Sequence, residues 1–273
     1  MLYKGSGDVL HTNNTSCKNS INTYSNSNTI MNYDFLIIDY ICTIIVSFME
    51  LDVRIKMNEK LFLRNPEDSP LGKKIVKQGL QFINKVGFED FTFKKLSIEI
   101  GTTEASIYRY FENKHRLLVY LIAWYWSYLE YKVMFSLNNM TNPELKLKTI
   151  VKLITEEPLG QNGSGDFLSE KEAYKLVIWE GSKAYLTRNI SQDNKNRLFK
   201  PYKDLCARFS SVISEYNPKY KYPHSLASTI LEMAHAQKFF QQNLPSLTDF
   251  PKEQSNKNII LFLESLLFNS IKA

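Results

Sequence analysis

From Leu71 onward the apolar residues recur at helical spacing. Ile75, Leu80, Phe82, Ile83 and Val86 mark one amphipathic helix. It stops at Gly87, a residue that can close a helix in the left-handed conformation. No alternating run of useful length appears downstream, so no sheet is expected. Breaks fall at 138–143, 156–166, 217–223 and 244–251, where Pro, Gly, Asn and Asp gather. Between them the spacing predicts helices at about 143–156, 168–188, 190–216, 223–243 and 252–271. There is no internal repeat, and the expected fold class is all-α.

Residues 1–56 do not share this pattern. Positions 11–32 are rich in Asn, Ser and Thr, with too little apolar surface to offset the entropy of ordering. The apolar run from Phe35 to Met49 is shorter than a bilayer span and is interrupted by Asp39. Asp34 stands where a signal peptide would carry basic residues. The leading reading is that translation begins at Met57 and the upstream residues are not part of the native protein. An expressed disordered tail comes next, and a membrane tether last.

The segment from Gly87 to Leu118 has a local logic of its own. Thr92 is a good N-cap for a short helix from Phe93 to Ile100, in which Leu96 and Ile100 share a face. Gly101 supplies the positive φ of a tight turn, and Ser97 is small where a second helix must pass. Thr103 caps that second helix, with Glu104 in its first turn. Ile107 and Phe111 point back into the core. Thr102, Thr103, Ser106, Tyr108, Arg109 and Tyr110 are left around the outer surface. This spacing is that of a helix-turn-helix, whose second helix fits the DNA major groove. Asn113 caps the next helix, and Lys114 beside it is expected to bring a cation to a phosphate. Lys73, Lys74 and Lys77 offer further backbone contacts. Phe111 is expected in the core, Tyr108 and Tyr110 as partly exposed phosphate contacts, and Arg109 as a DNA contact or a solvated charge.

The run from Ile75 to Leu118 resembles the DNA-binding domain of the TetR family of repressors. Gly87-Phe88, Thr92-Phe93, Leu96, Gly101, Ile107-Tyr108-Arg109-Tyr110-Phe111, Lys114 and Leu117-Leu118 carry the likeness. Gly79 departs from it, where Ala is usual, as does Glu104, where a basic or neutral residue is common. The resemblance implies an N-terminal three-helix helix-turn-helix domain (57–118) followed by a helical effector-binding and dimerisation domain (119–273). It implies double-stranded DNA with a palindromic operator as partner, contacted through Thr92, Lys94, Thr102, Thr103, Ser106, Tyr108, Arg109, Tyr110 and Lys114.

The family likeness also implies a small-molecule effector pocket between the later helices. Aromatics crowd the stretch from Leu117 to Phe135 and return at Tyr174, Trp179, Tyr185 and Phe209. Trp124, Tyr128, Trp179 and His235 are the candidate pocket residues, although an aromatic stripe is more often plain core. In the last two helices, Leu226, Ile230, Met233 and Gln237 line one face and Ile259, Leu263, Leu266 and Ser270 another. Two such helices per subunit can form a homodimer interface through about 223–243 and 252–271, setting the recognition helices about 34 Å apart.

Composition narrows the alternatives. The net charge of +6 permits a nucleic-acid partner without requiring one. Three cysteines (Cys17, Cys42 and Cys206) have no paired spacing, which fits a reducing cytoplasm. The four histidines form no metal-ligand motif, and no metal or cofactor is expected. No catalytic constellation accompanies Cys206 or His235, so an enzyme is not expected. A ligand-independent DNA-organising or activating protein, and a helical adaptor, are the remaining readings.

Overall fold

The computed structural model describes residues 55–158, 168–188, 190–252 and 255–272. The tract upstream of these, including the apolar run at 35–49, lies outside the described residues. Two single turns of 3₁₀ helix, Glu59–Leu61 and Pro66–Asp68, lead into α1 (Pro70–Val86). The Ser69 hydroxyl accepts the Gly72 amide, and Pro70 occupies a first-turn position where its missing N–H costs nothing. α1 ends at Gly87, with φ at 81°. Then come α2 (Phe93–Ile100), α3 (Glu104–Tyr108) and α4 (Lys114–Leu137).

α5 (Pro143–Thr155) and α6 (Glu170–Glu180) follow, the latter extended by a 3₁₀ turn, Gly181–Ala184. α7 (Ile190–Lys195), α8 (Lys200–Tyr216), α9 (Pro223–Asn243) and α10 (Lys257–Ile271) complete the chain. Among the described residues there is no strand, as the missing alternation predicts. No helix among them is long and apolar enough to cross a membrane.

α4 is the axis of the molecule. From Leu117 to Trp126 every residue is buried, because α1 packs on its start and α5, α6 and α8 pack around the rest. Burial of each such large apolar side chain contributes about 1.5–3 kcal/mol. α9 lies against α5, α6, α8 and α10. The core face of α10 is Ile259, Leu263, Leu267 and Ile271, one register away from the face expected at Leu266 and Ser270. That rotation leaves Leu261 and Phe262 exposed, at 53% and 41%.

The helix expected at 190–216 is broken into α7 and α8. Arg197 takes a φ of 57°, and Pro201 sits in the first turn of α8. Proline cannot continue a helix that precedes it, so the chain turns before it restarts. The break gives α7 its own direction and lets it present two faces. Asp193, on the buried face, holds Arg116 Nη1 at 2.8 Å and lies 3.9 Å from His115.

Candidate nucleic-acid interface and effector cleft

The helix-turn-helix is assembled by local capping. Thr92 Oγ1 accepts the Lys95 amide, and Thr103 Oγ1 accepts the Ser106 amide at 3.2 Å. Gly101 stands between them with φ 65° and ψ 45°, the left-handed geometry a side chain resists. Lys74 Nζ donates to the Ile100 carbonyl at 2.8 Å and closes the end of α2. Beneath the turn Phe91, Phe93, Leu96, Ile107 and Phe111 are buried. The Phe93 ring meets Tyr108 edge-on at 5.1 Å, so Tyr108 is fixed in place while 46% of it stays exposed. Thr92, Lys94, Thr103 and Arg109 are exposed, and Thr102 and Ser106 are half-buried. These residues form one polar and cationic surface over α2 and α3. It can meet phosphates through Lys94 and Arg109 and base edges through the hydroxyls.

A second feature lies in the larger helical part. A cleft of about 310 Å³ opens between α4, α7 and α8, lined by Ile122, Trp126, Tyr185, Phe199 and Tyr202, with Asn194 and Lys203 at its polar edge. At its floor Tyr185 and Tyr202 stack 6.4 Å apart, and their hydroxyls donate to the two oxygens of Glu232 at 2.8 and 2.6 Å. Burial, with the Glu232 charge, pushes both phenols well above the usual tyrosine range. They are therefore hydrogen-bond donors at any physiological pH. Trp126 divides this cleft from His235, which lies buried against Tyr125, Trp126 and Tyr174. Desolvation holds that imidazole down at about 4, despite the opposing pull of Glu232.

The sequence profile of bacterial regulatory proteins of the tetR family matches residues 75–121, which span α1, α2, α3 and the start of α4. This part of the chain is TetR-like.

Solved TetR-type structures share the wider fold. The fatty acid degradation regulator FadR of Bacillus halodurans aligns with a TM-score of 0.52 at 17% identity, over 73% of this chain and 95% of that one. FadR of Bacillus subtilis, solved with stearoyl-CoA, gives 0.52 at 14% identity, over 72% and 97%. AibR, solved with isovaleryl coenzyme A and operator DNA, gives 0.50 at 14%, over 72% and 98%. At such identities the likeness is one of fold. A comparison with curated proteins by sequence found no match.

Two of the expected phosphate contacts, Tyr110 and Lys114, make bonds within the protein. Tyr110 is only 3% exposed, and its hydroxyl lies 2.7 Å from Ser69 Oγ, joining α3 to the start of α1. Lys114 Nζ donates to the carbonyls of Phe88, Glu89 and Phe91 at 2.9, 3.0 and 3.1 Å and lies 4.7 Å from the centre of the Phe88 ring. These three bonds match its three protons, so it clamps the turn after α1. Lys74 is likewise committed to the end of α2, while Lys73 and Lys77 stay exposed. A cation the sequence reading passed over, Arg64, lies exposed over the Tyr110 ring at 5.5 Å, beside the recognition helix.

The four expected pocket residues do not line the cleft. Trp179 is 48% exposed and packs edge-on against Phe239 at the surface. Trp124 stacks on Tyr128 within 7° of parallel, and His235 is sealed behind Trp126. The aromatic residues that do line it are Trp126 of α4 and, well downstream of it, Tyr185, Phe199 and Tyr202.

Proposed function

We propose that this protein is a DNA-binding transcription regulator, a cytoplasmic homodimer whose operator affinity falls when a small molecule enters the cleft. The observation that carries the reading is the surface from Thr102 to Arg109. It is polar and accessible, and it is held by caps and the Phe93–Tyr108 contact. A preformed surface of this kind docks without a further ordering cost. Thr92, Lys94, Thr102, Thr103, Ser106, Tyr108 and Arg109 are the proposed DNA contacts. Leu261 and Phe262 on α10, with Leu244 and Leu247 beyond α9, are exposed apolar positions that support self-association there.

FadR of Bacillus subtilis with its acyl-CoA, and AibR with both ligand and operator, support an effector role for the same helical part of this fold. Effector and operator must then weaken each other by the same factor. Catalysis has no role in this reading.

The test is selection of bound fragments from genomic DNA by the full chain, repeated at several salt concentrations. Enrichment of a palindromic site is expected. Lys94→Ala and Arg109→Ala should each weaken binding and lower the salt slope by about 1. A folded protein that enriches no sequence would sink the proposal.

A further inference from the structure

Beside the aromatic cleft, behind a thin wall, lies a larger groove of about 640 Å³. It runs between the segment ahead of α1, the middle of α4 and the start of α8. Lys56, Lys60, Arg197 and Lys200 border it, and Glu59 is the sole acidic residue in its lining. Arg197 reaches it from a left-handed backbone conformation, which is strained for a residue with a Cβ. Asn58 holds that conformation by donating to the carbonyls of Asn196 and Arg197 at 2.9 and 3.2 Å.

The wall is one layer of side chains. Leu198 and Pro201 face the groove, and Phe199 and Tyr202 face the cleft. All four surround a void of about 10 Å³ between the two. Leu198 and Phe199 belong to the connection between α7 and α8, and Pro201 and Tyr202 to the first turn of α8, where Pro201 has no amide to donate.

We infer that cleft and groove are two halves of one site, and that its ligand is an amphiphile with an apolar tail and a polyanionic, phosphorylated head. This rests on the cleft being the effector site. The tail fits the aromatic cleft, whose two phenols are already satisfied by the bonds to Glu232. The head fits the groove, where Lys56, Lys60 and Arg197 gather beside Lys200, which already pairs with Asp204, and Glu59 is the one carboxylate of the lining. The position of the head matters for regulation. Lys60 bonds Asn196, and Asn58 bonds Asn196 and Arg197, fastening the segment before α1 to the end of α7. An anion seated between those segments competes for Lys60 and loosens its bond to Asn196.

The test titrates the full chain with octanoyl-CoA, octanol, coenzyme A and octyltrimethylammonium, read by tryptophan fluorescence and calorimetry at two salt concentrations. Octanoyl-CoA should bind at least about tenfold more tightly than octanol at low salt, and the gap should narrow at high salt. The double substitution Lys56→Glu/Arg197→Glu, made at exposed positions, should remove that advantage and leave octanol binding unchanged. Octanol binding as tightly as the thioester would overturn the inference, as would octyltrimethylammonium binding best or the charge-reversed protein keeping its preference. In those cases the cleft remains an effector site. If none of the chain-bearing probes binds, the cleft reading fails first and this inference falls with it.

Discussion

The amide of Phe88 donates to Glu180 Oε1 at 3.0 Å across 92 residues of chain, and the carboxylate is almost wholly buried. Lys183 lies 2.9 Å from Glu180 and 3.0 Å from Glu89. On the opposite side Lys114 takes the three carbonyls of the same turn. The turn leaving α1 is thus gripped from both sides, once by the helical core and once by α4.

This arrangement separates two lysine-like roles that a sequence reading merges. Lys114→Ala should lower folding stability by about 2–4 kcal/mol, since it strips a charged donor from three carbonyls. Arg109→Ala should leave the melting midpoint unchanged and weaken DNA binding alone. Denaturant unfolding set beside fluorescence-anisotropy DNA titrations distinguishes them. Equal losses of stability in both variants would refute the assignment.

Arg116 and Asp193 join the base of α4 to α7, and the Asp193 side chain is 3% exposed. Arg116→Ala leaves a buried carboxylate with only His115 nearby, and should cost about 3 kcal/mol. Adding Asp193→Asn should recover part of that loss. A double-mutant cycle by urea unfolding measures the coupling, and strictly additive losses would rule the interaction out.

His235 makes stability pH-dependent. Its native value of about 4 lies below the ordinary 6.5, so the unfolded chain takes up the proton first. Its contribution is fully present above pH 6.5 and is lost as pH falls towards 4. The full span amounts to about 3 kcal/mol by linkage. His235→Gln should flatten the stability curve in that window, read by chemical denaturation from neutral to acid pH. A slope unchanged from the parent protein would assign the effect elsewhere.

Two glycines should fail for different reasons. A Cβ on Gly79 would stand 3.1 Å from Leu117 Cδ2, in a fully buried setting, so Gly79→Ala should cost about 1 kcal/mol despite better helix propensity. Gly101 has nothing within 4 Å of such a Cβ, and Gly101→Ala should cost about 1–2 kcal/mol from backbone conformation alone. Shortening Leu117 to Val should partly rescue the first and not the second, as thermal melts would show.

What was legible in the sequence was local. Thr92, Gly101, Thr103 and Asn113 act within three or four residues of themselves, and each stands in the capping or turn position its chemistry indicates. The bonds that Lys114 and Tyr110 make within the protein were not legible, because their partners lie 23–26 and 41 residues upstream. A cation near a recognition helix reads as a DNA contact, and nothing in its local sequence shows the carbonyls around it. The cleft was illegible for the same reason, since Tyr185, Tyr202 and Glu232 meet only in three dimensions. The break before α8 did have a signal in Pro201, which helical spacing on both sides concealed.

α4 also bears on how such a protein can be recombined. The DNA-binding core does not stop at Leu118, because Tyr120 packs on Phe62 and Phe111 and its hydroxyl reaches Glu67. Six residues later the same helix supplies Trp126 to the cleft. A splice between residues 118 and 119 would cut through a continuous buried stretch and open both halves to water. The two halves are therefore not interchangeable cassettes. A chimaera that keeps both would have to inherit α4 whole, with its neighbours on either side.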